Sequence, residues 1–126
     1  MRTKKHDTDK IILEKIIKYC DQIKMIVNKY NDSYELYQSD ITFQYSANMC
    51  ILQIGELTTR LSEAFKEKHS VIPWRLIKAM RNINAHDYES LNLEYAWNTL
   101  IEDIPKLKAD LMVILNNYDN NDAIQQ

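Results

Sequence analysis

Apolar residues recur at steps of three and four along most of the chain, a spacing that places them on one face of an α-helix. The first such pattern predicts a helix over residues 9–30, with N-capping oxygens supplied by residues 7–9. A second pattern predicts one helix over residues 40–68, about 40 Å long. The segment between them, residues 34–37, fits either a turn or a short helix.

One glycine and one proline add detail to the second and third predicted helices. Gly55 lies in the middle of the second helix, where glycine costs about 1 kcal/mol relative to alanine, so we expect another helix to approach closely there. Pro73 fits the first turn of a third helix, where its missing N–H is harmless. The predicted apolar face of that third helix consists of Leu76, Ala79, Met80 and Ile83.

The fourth predicted helix starts near Asn92 and meets Pro105. The apolar register resumes beyond this proline, so a kink is predicted rather than an end. Residues 117–126 are polar and are predicted to form a frayed tail. These patterns predict an all-α fold, an up-down bundle of four main helices with room for a short extra one, in a single domain over residues 1–126.

Composition agrees with a helical domain and limits its partners. The 126 residues include one glycine and two prolines, too few for the turns of an all-β fold. No apolar run approaches the roughly 18 residues of a membrane span, and no signal peptide is recognisable, so we expect a cytoplasmic protein. A net charge of −2 excludes a global basic field, so any contact with RNA requires a local patch.

Cysteine usage gives no indication of a metal site. Cys20 and Cys50 both fall at apolar helical positions and are predicted to be buried, reduced thiols. Neither has a second cysteine or a histidine at zinc-binding spacing. A metal-binding four-helix bundle would need paired Glu-x-x-His segments on facing helices, and the sequence contains none. We therefore expect neither a metal nor a cofactor.

Three side chains suited to RNA chemistry share residues 81–88, where Arg81, His86 and Tyr88 follow the spacing R-x4-H-x-Y. Arginine binds phosphate oxygens through a permanently charged fork, and histidine exchanges protons near neutral pH. On a straight helix the first two would point about 140° apart. Because Asn82 is a poor helix former, we expect the helix to end around residues 85–86 and His86 to turn back toward Arg81.

An arginine and a histidine so placed suit RNA cleavage without a metal. A neutral imidazole can take the proton of a ribose 2′-hydroxyl, which then attacks the adjacent phosphorus, while a guanidinium stabilises the phosphate charge. DNA lacks that hydroxyl and would not be cut. Arg75 and Lys78 precede Arg81 on the same helix and are candidate contacts for the RNA backbone. The alternative for these two is a solvated helix face.

The R-x4-H-x-Y segment resembles the signature of HepT-type toxins in the HEPN superfamily of helical ribonucleases. The polar Asn82 directly after the arginine fits the HEPN pattern, and the resemblance extends over about residues 47–115. It includes residues 54–56 (Ile-Gly-Glu), residues 72–75 (Ile-Pro-Trp-Arg) and the helix that carries Trp97 and Pro105. An acidic Asp87 inside the motif makes the expected cleft less positive.

The resemblance implies a homodimer in which Arg81 and His86 of both subunits face one cleft and cleave RNA without a metal. It implies a toxin–antitoxin pair whose partner is an MntA-like nucleotidyltransferase that transfers AMP from ATP to Tyr88. The added phosphate charge and bulk would keep RNA away from the catalytic pair. The alternative is an inactive helical module that binds the nucleotidyltransferase, with a merely structural motif.

Overall fold

The computed structural model describes residues 4–83 and 92–125, and of residues 4–7, 82–83 and 119–125 it describes only the helical backbone. Its helices, in chain order, are α1 (Lys4–Lys29), α2 (Tyr34–Ser39), α3 (Ile41–Arg60), α4 (Glu63–Lys68), α5 (Trp74–Ile83), α6 (Leu93–Asn98) and α7 (Ile104–Gln125). A π-helical turn, Thr99–Asp103, joins α6 to α7. Within the described ranges the chain contains no strand, which confirms the prediction of an all-α bundle.

The four longer helices pack around one apolar core. Helix α3 contacts both α1 and α5, and α1 also contacts α7. The predicted stripe of α1 is buried in this core, through Ile12, Ile16, Cys20, Ile23 and Val27. In the described part of the chain no helix is both apolar enough and long enough for a membrane span.

The predicted single helix over residues 40–68 is wrong, because the chain breaks between α3 and α4. Leu61 and Ser62 are extended, and the Ser62 hydroxyl caps α4 by accepting a hydrogen bond from the Phe65 backbone N–H at 3.2 Å. Both Leu61 and Phe65 are buried, so the apolar spacing of four residues passes through the break without change. Periodicity alone therefore could not locate it.

A carboxylate near the start of the sequence stabilises this break through hydrogen bonds. The buried Asp9 accepts hydrogen bonds from the Ser62 backbone N–H at 2.9 Å and from the Ser62 hydroxyl at 2.7 Å. The sequence pattern predicts Asp9 as one of the N-capping residues of α1, which is wrong, because α1 begins at Lys4 and Asp9 lies within it. Its carboxylate caps the α3–α4 junction because that junction exposes backbone donors beside α1.

The short segment after α1 forms a true helix, α2, with Ser33 as its cap. The Tyr37 hydroxyl donates to Asn48 Oδ1 at 2.9 Å, and both side chains are fully buried. The Tyr37 ring packs edge-on against Phe43 and tilted against Trp97, with ring centroids 5.2 and 5.5 Å apart. This aromatic cluster joins α2, α3 and α6, in agreement with the helical alternative for this segment.

The π-helical turn lies directly before Pro105 and accounts for the predicted irregularity there. The Ile104 backbone N–H donates to the Thr99 carbonyl, five residues back, where an α-helix would use four. Proline cannot donate to this ladder, so the chain widens by one residue and then resumes as α7. The helix continues through Gln125, whereas the sequence predicted a frayed tail from residue 117.

The predicted apolar face of α5 is partly wrong. Leu76 and Ala79 are exposed, whereas Met80 is buried as predicted, together with Ile77. Both pairs have a spacing of three residues, so two neighbouring faces of α5 fit a helical period equally well. Contact with α3 selects the face that carries Ile77. The side chain of Ile83 lies outside the described residues.

The prediction for Gly55 is confirmed, because α5 approaches α3 closely there. A Cβ atom added to Gly55 would lie 2.9 Å from Arg81 Cβ and 3.1 Å from the Arg81 backbone nitrogen. Real Cβ atoms essentially never come as close as 2.9 Å to a neighbour, and neither opposing atom belongs to a flexible side-chain end. Glycine therefore allows the backbone of α5 to lie directly on α3.

We predict that Gly55→Ala destabilises the fold by about 1 kcal/mol. Overpacking of this kind costs about 1–3 kcal/mol, and alanine returns about 1 kcal/mol of helix propensity. Urea unfolding of the variant and the wild type measures the difference. Gln53→Ala, on the same helix and only partly buried, is the control and should lie within about 0.5 kcal/mol of wild type. An unchanged or raised stability of Gly55→Ala would contradict the close approach.

Candidate functional site

The candidate site begins where Gly55 brings α5 onto α3, because that contact fixes the backbone of Arg81. The buried Met80 precedes Arg81 and anchors α5 in the core. The Arg81 side chain leaves the helix at the edge of this contact, and 36% of it is exposed. A guanidinium in such a position is held at its base by packing and remains accessible to a ligand at its tip.

The tip of Arg81 contacts a carboxylate of α3. Arg81 Nη1 donates a hydrogen bond to Glu56 Oε1 at 3.2 Å, and 46% of the Glu56 side chain is exposed. Glu56 directly follows Gly55, so consecutive residues of α3 contact the backbone and the guanidinium of the same arginine. The ion pair therefore orients Arg81 along the surface of α3.

The two candidate RNA-backbone contacts lie on the same helix as Arg81. Arg75 and Lys78 are both exposed, each three residues from the next basic position along α5. Exposure is what a contact with an RNA phosphate requires, and it is equally what a solvated helix face would show. Their role in binding stays a prediction.

The other candidate residues of the motif lie partly or wholly outside the residues that the structure describes. The backbone of Asn82 is helical within α5, and its side chain is outside the described residues. His86 and Tyr88 both fall in residues 84–91, which the structure does not describe, and so does the predicted end of α5 around residues 85–86. The approach of His86 to Arg81 and the roles of all three residues therefore remain predictions.

Glu56 is the residue of this site to which the sequence assigned no role. Its signal was its position directly after the only glycine of the chain, within residues 54–56 of the family resemblance. A glutamate on a long helix ordinarily faces solvent, so the sequence pattern offered no partner for it. The partner, Arg81, is 25 residues away and was brought close by the packing of α5.

Two cysteines and a histidine are further potentially reactive side chains in the described part of the chain. Cys20 and Cys50 are free and buried, as predicted. Burial raises the pKa of the Cys20 thiol to about 12 and also raises the pKa of Cys50, so both stay protonated and unreactive. Partial burial, with Lys68 nearby, lowers the pKa of His69. Among the described residues no cluster of three or more His, Cys, Asp or Glu side chains could hold a metal ion.

Comparison with known proteins identifies a family to which the chain is similar. Residues 16–114 match the family described as "Ribonuclease HepT-like". The "Probable ribonuclease HepT" of Thermococcus cleftensis is 33% identical over 60% of this chain and 68% of its own. A "Putative RNase" of Methanocaldococcus jannaschii is 26% identical over 90% of this chain and 92% of its own.

Other relatives match over a shorter part of their length. A "Putative RNase" of Caldanaerobacter subterraneus is 39% identical over 49% of this chain, and the match spans about half of that protein, 55%. No solved structure matches the chain. The family match extends over most of the chain and includes α3, α5 and Arg81. The chain therefore belongs to the HepT-like ribonuclease family.

Proposed function

We propose that this chain is a metal-independent endoribonuclease that cleaves RNA, with Arg81 and His86 as its catalytic pair. The observation that best supports this proposal is the position of Arg81 in a chain of the HepT-like ribonuclease family. Its backbone lies against Gly55 and its guanidinium is oriented at the surface by Glu56. A fully buried arginine could not reach a phosphodiester, and an unrestrained one would not bind it in a fixed geometry. Arg81 is both accessible and restrained, which suits the proposed role.

The proposed reaction uses the adjacent ribose as the nucleophile. His86 takes the proton of the 2′-hydroxyl, and the 2′-oxygen forms a new bond to phosphorus. The bond from phosphorus to the 5′-oxygen breaks, and that oxygen takes a proton from a second imidazolium. Arg81 donates hydrogen bonds to the non-bridging phosphate oxygens, where negative charge gathers. DNA has no 2′-hydroxyl and is not a substrate.

The need for both a base and an acid supports a homodimer, since each chain offers one histidine in the motif. A surface stripe on α3 is suited to bind a second copy. It consists of Ile41, Tyr45 and Met49, which are 59%, 48% and 53% exposed. A spacing of four residues puts the three on one helix face, and the same face continues to Glu56 and its partner Arg81. A two-fold axis that runs along this stripe, roughly parallel to α3, would bring two copies of Arg81 toward one cleft.

Charge and modification complete the proposal. Arg75 and Lys78 bind the RNA backbone, and Asn82 supports the motif, in a chain that is otherwise slightly acidic. We place the protein in the cytoplasm as the toxin of a toxin–antitoxin pair. Its antitoxin, an MntA-like nucleotidyltransferase, attaches AMP to Tyr88, two residues after His86, and the added phosphate repels RNA from the site.

We predict that His86→Ala lowers RNA cleavage by about 10²- to 10⁴-fold, because proton transfer to a positioned base is lost. Cleavage is measured with EDTA present, together with the helical circular dichroism of each variant. His69→Ala, which removes a histidine packed beside Phe65, should keep the wild-type rate. Wild-type activity in His86→Ala would refute the catalytic role of His86. A wild-type protein that binds the nucleotidyltransferase but never cuts RNA would favour the inactive module instead.

We predict that Met49→Glu disrupts the homodimer, because dimerisation would bury two carboxylates in an apolar stripe. The dissociation constant of the dimer should rise by about 100-fold or more, and cleavage should fall with it. Sedimentation equilibrium measures the association. Met25→Glu is a matched control on α1, where this methionine is 69% exposed and lies outside the stripe. If Met49→Glu dimerises like wild type, the α3 stripe is not the interface.

We predict that incubation with the antitoxin and ATP adds AMP to the wild-type chain and none to Tyr88→Phe. Phenylalanine preserves the ring and lacks the oxygen that would attack the α-phosphate of ATP. Intact-mass spectrometry detects the addition. Tyr95→Phe is the control, since Tyr95 is an exposed tyrosine on α6 and should leave the mass increase unchanged. A mass increase that persists in Tyr88→Phe would exclude Tyr88 as the acceptor.

A further inference from the structure

The partner of Arg81 on α3 is unexpected for a phosphate-binding arginine. The Glu56 carboxylate offsets the positive charge that would attract RNA, and it lies 3.2 Å from Arg81 Nη1. Stability does not explain this arrangement, since half-exposed ion pairs of this kind contribute little to folding. A carboxylate in this position is better explained by what it does to the geometry of the guanidinium.

We propose that Glu56 is a positioning residue that orients the Arg81 guanidinium for RNA cleavage, a role that rests on the proposed function. An arginine side chain has four rotatable bonds and explores many rotamers when unrestrained. Here its base is fixed by the contact of α5 with Gly55, and its tip is fixed by Glu56. Two consecutive residues of α3 thus restrict both ends of one side chain.

The geometry leaves the arginine able to bind a phosphate. Among the described residues, the contact with Glu56 runs through Nη1, and a guanidinium carries five N–H donors in a rigid plane. Orienting that plane before RNA binds removes a search among rotamers in the transition state. The benefit therefore appears in the rate of the chemical step, whereas the negative charge of Glu56 weakens the binding of RNA.

These opposite effects give the role a kinetic signature. Glu56→Ala frees the guanidinium and removes a negative charge, so kcat should fall by about 2- to 5-fold, in keeping with the modest strength of a half-exposed ion pair, while KM stays equal or decreases. Glu56→Gln keeps an oxygen acceptor at Oε1 and loses only the charge. This conservative variant should recover most of kcat and also show a KM equal to or below that of wild type.

A matched control separates this role from a general effect of surface charge. Glu63 forms an ion pair with Lys66 at 3.1 Å on α4, and its side chain is strongly exposed. Glu63→Ala should therefore keep the kcat and KM of wild type. The melting temperatures of all three variants should lie within about 4 °C of wild type, because exposed pairs contribute little to stability.

A second measurement tests the orientation of Arg81 without relying on cleavage. NMR of the arginine side chains, with the Arg81 signal assigned by its loss in Arg81→Lys, reports how fast the guanidinium rotates. Wild type and Glu56→Gln should show slow rotation at Arg81, and Glu56→Ala should show fast rotation.

The two measurements separate the failure of this inference from the failure of the proposed function. A wild-type kcat in Glu56→Ala, or equally slow rotation of Arg81 in that variant, would overturn the positioning role alone. A rise in KM as the main effect of Glu56→Ala would also overturn it. Absence of RNA cleavage by the wild type, with slow rotation of Arg81, would instead refute the proposed function and the catalytic meaning of the pair with it.

Discussion

The contact between α3 and α5 at Gly55 is the constraint on which the candidate site depends. A single missing side chain lets the backbone of α5 lie against α3 at Arg81. Because the next residue of α3 is Glu56, the same contact places a carboxylate at the tip of that arginine. A larger residue at position 55 would separate the helices and move both ends of Arg81 at once. The same contact between α3 and α5 therefore packs the core and positions the arginine of the candidate site.

Electrostatics in this molecule favour orientation over attraction. The chain carries a formal charge of −2, and the arginine of the candidate site is paired with a carboxylate. Such a protein cannot attract RNA by a broad positive field, so any attraction depends on local basic groups, for which Arg75 and Lys78 are the predicted candidates. In the proposed enzyme the rate then depends on how well a few groups are placed. A site at the meeting point of two rigid helices suits that requirement better than a site on a loop.

Much of the fold could be predicted from the sequence, and the errors have specific causes. The apolar stripe of α1 was correct because its residues face one core along the whole helix. The break at Ser62 was missed because Leu61 and Phe65 keep helical spacing across it, and its capping partner Asp9 is 53 residues away. At the candidate site, the close approach at Gly55 was predictable from the cost of glycine within a helix. The pairing of Glu56 was not, since it depends on which face of α5 meets α3.

The sequence by itself determined the all-α class, the family and the glycine contact, and it predicted the segment of the candidate catalytic residues. These depend on local periodicity, on intrinsic propensities and on short motifs, all of which can be read within one turn or one helix. Only the tertiary structure decided where α3 ends, which face of α5 is buried and which residue holds Arg81. In each case the local sequence fits more than one arrangement equally well. A contact between residues that are distant in the chain selects one of them, and no local pattern predicts such a contact.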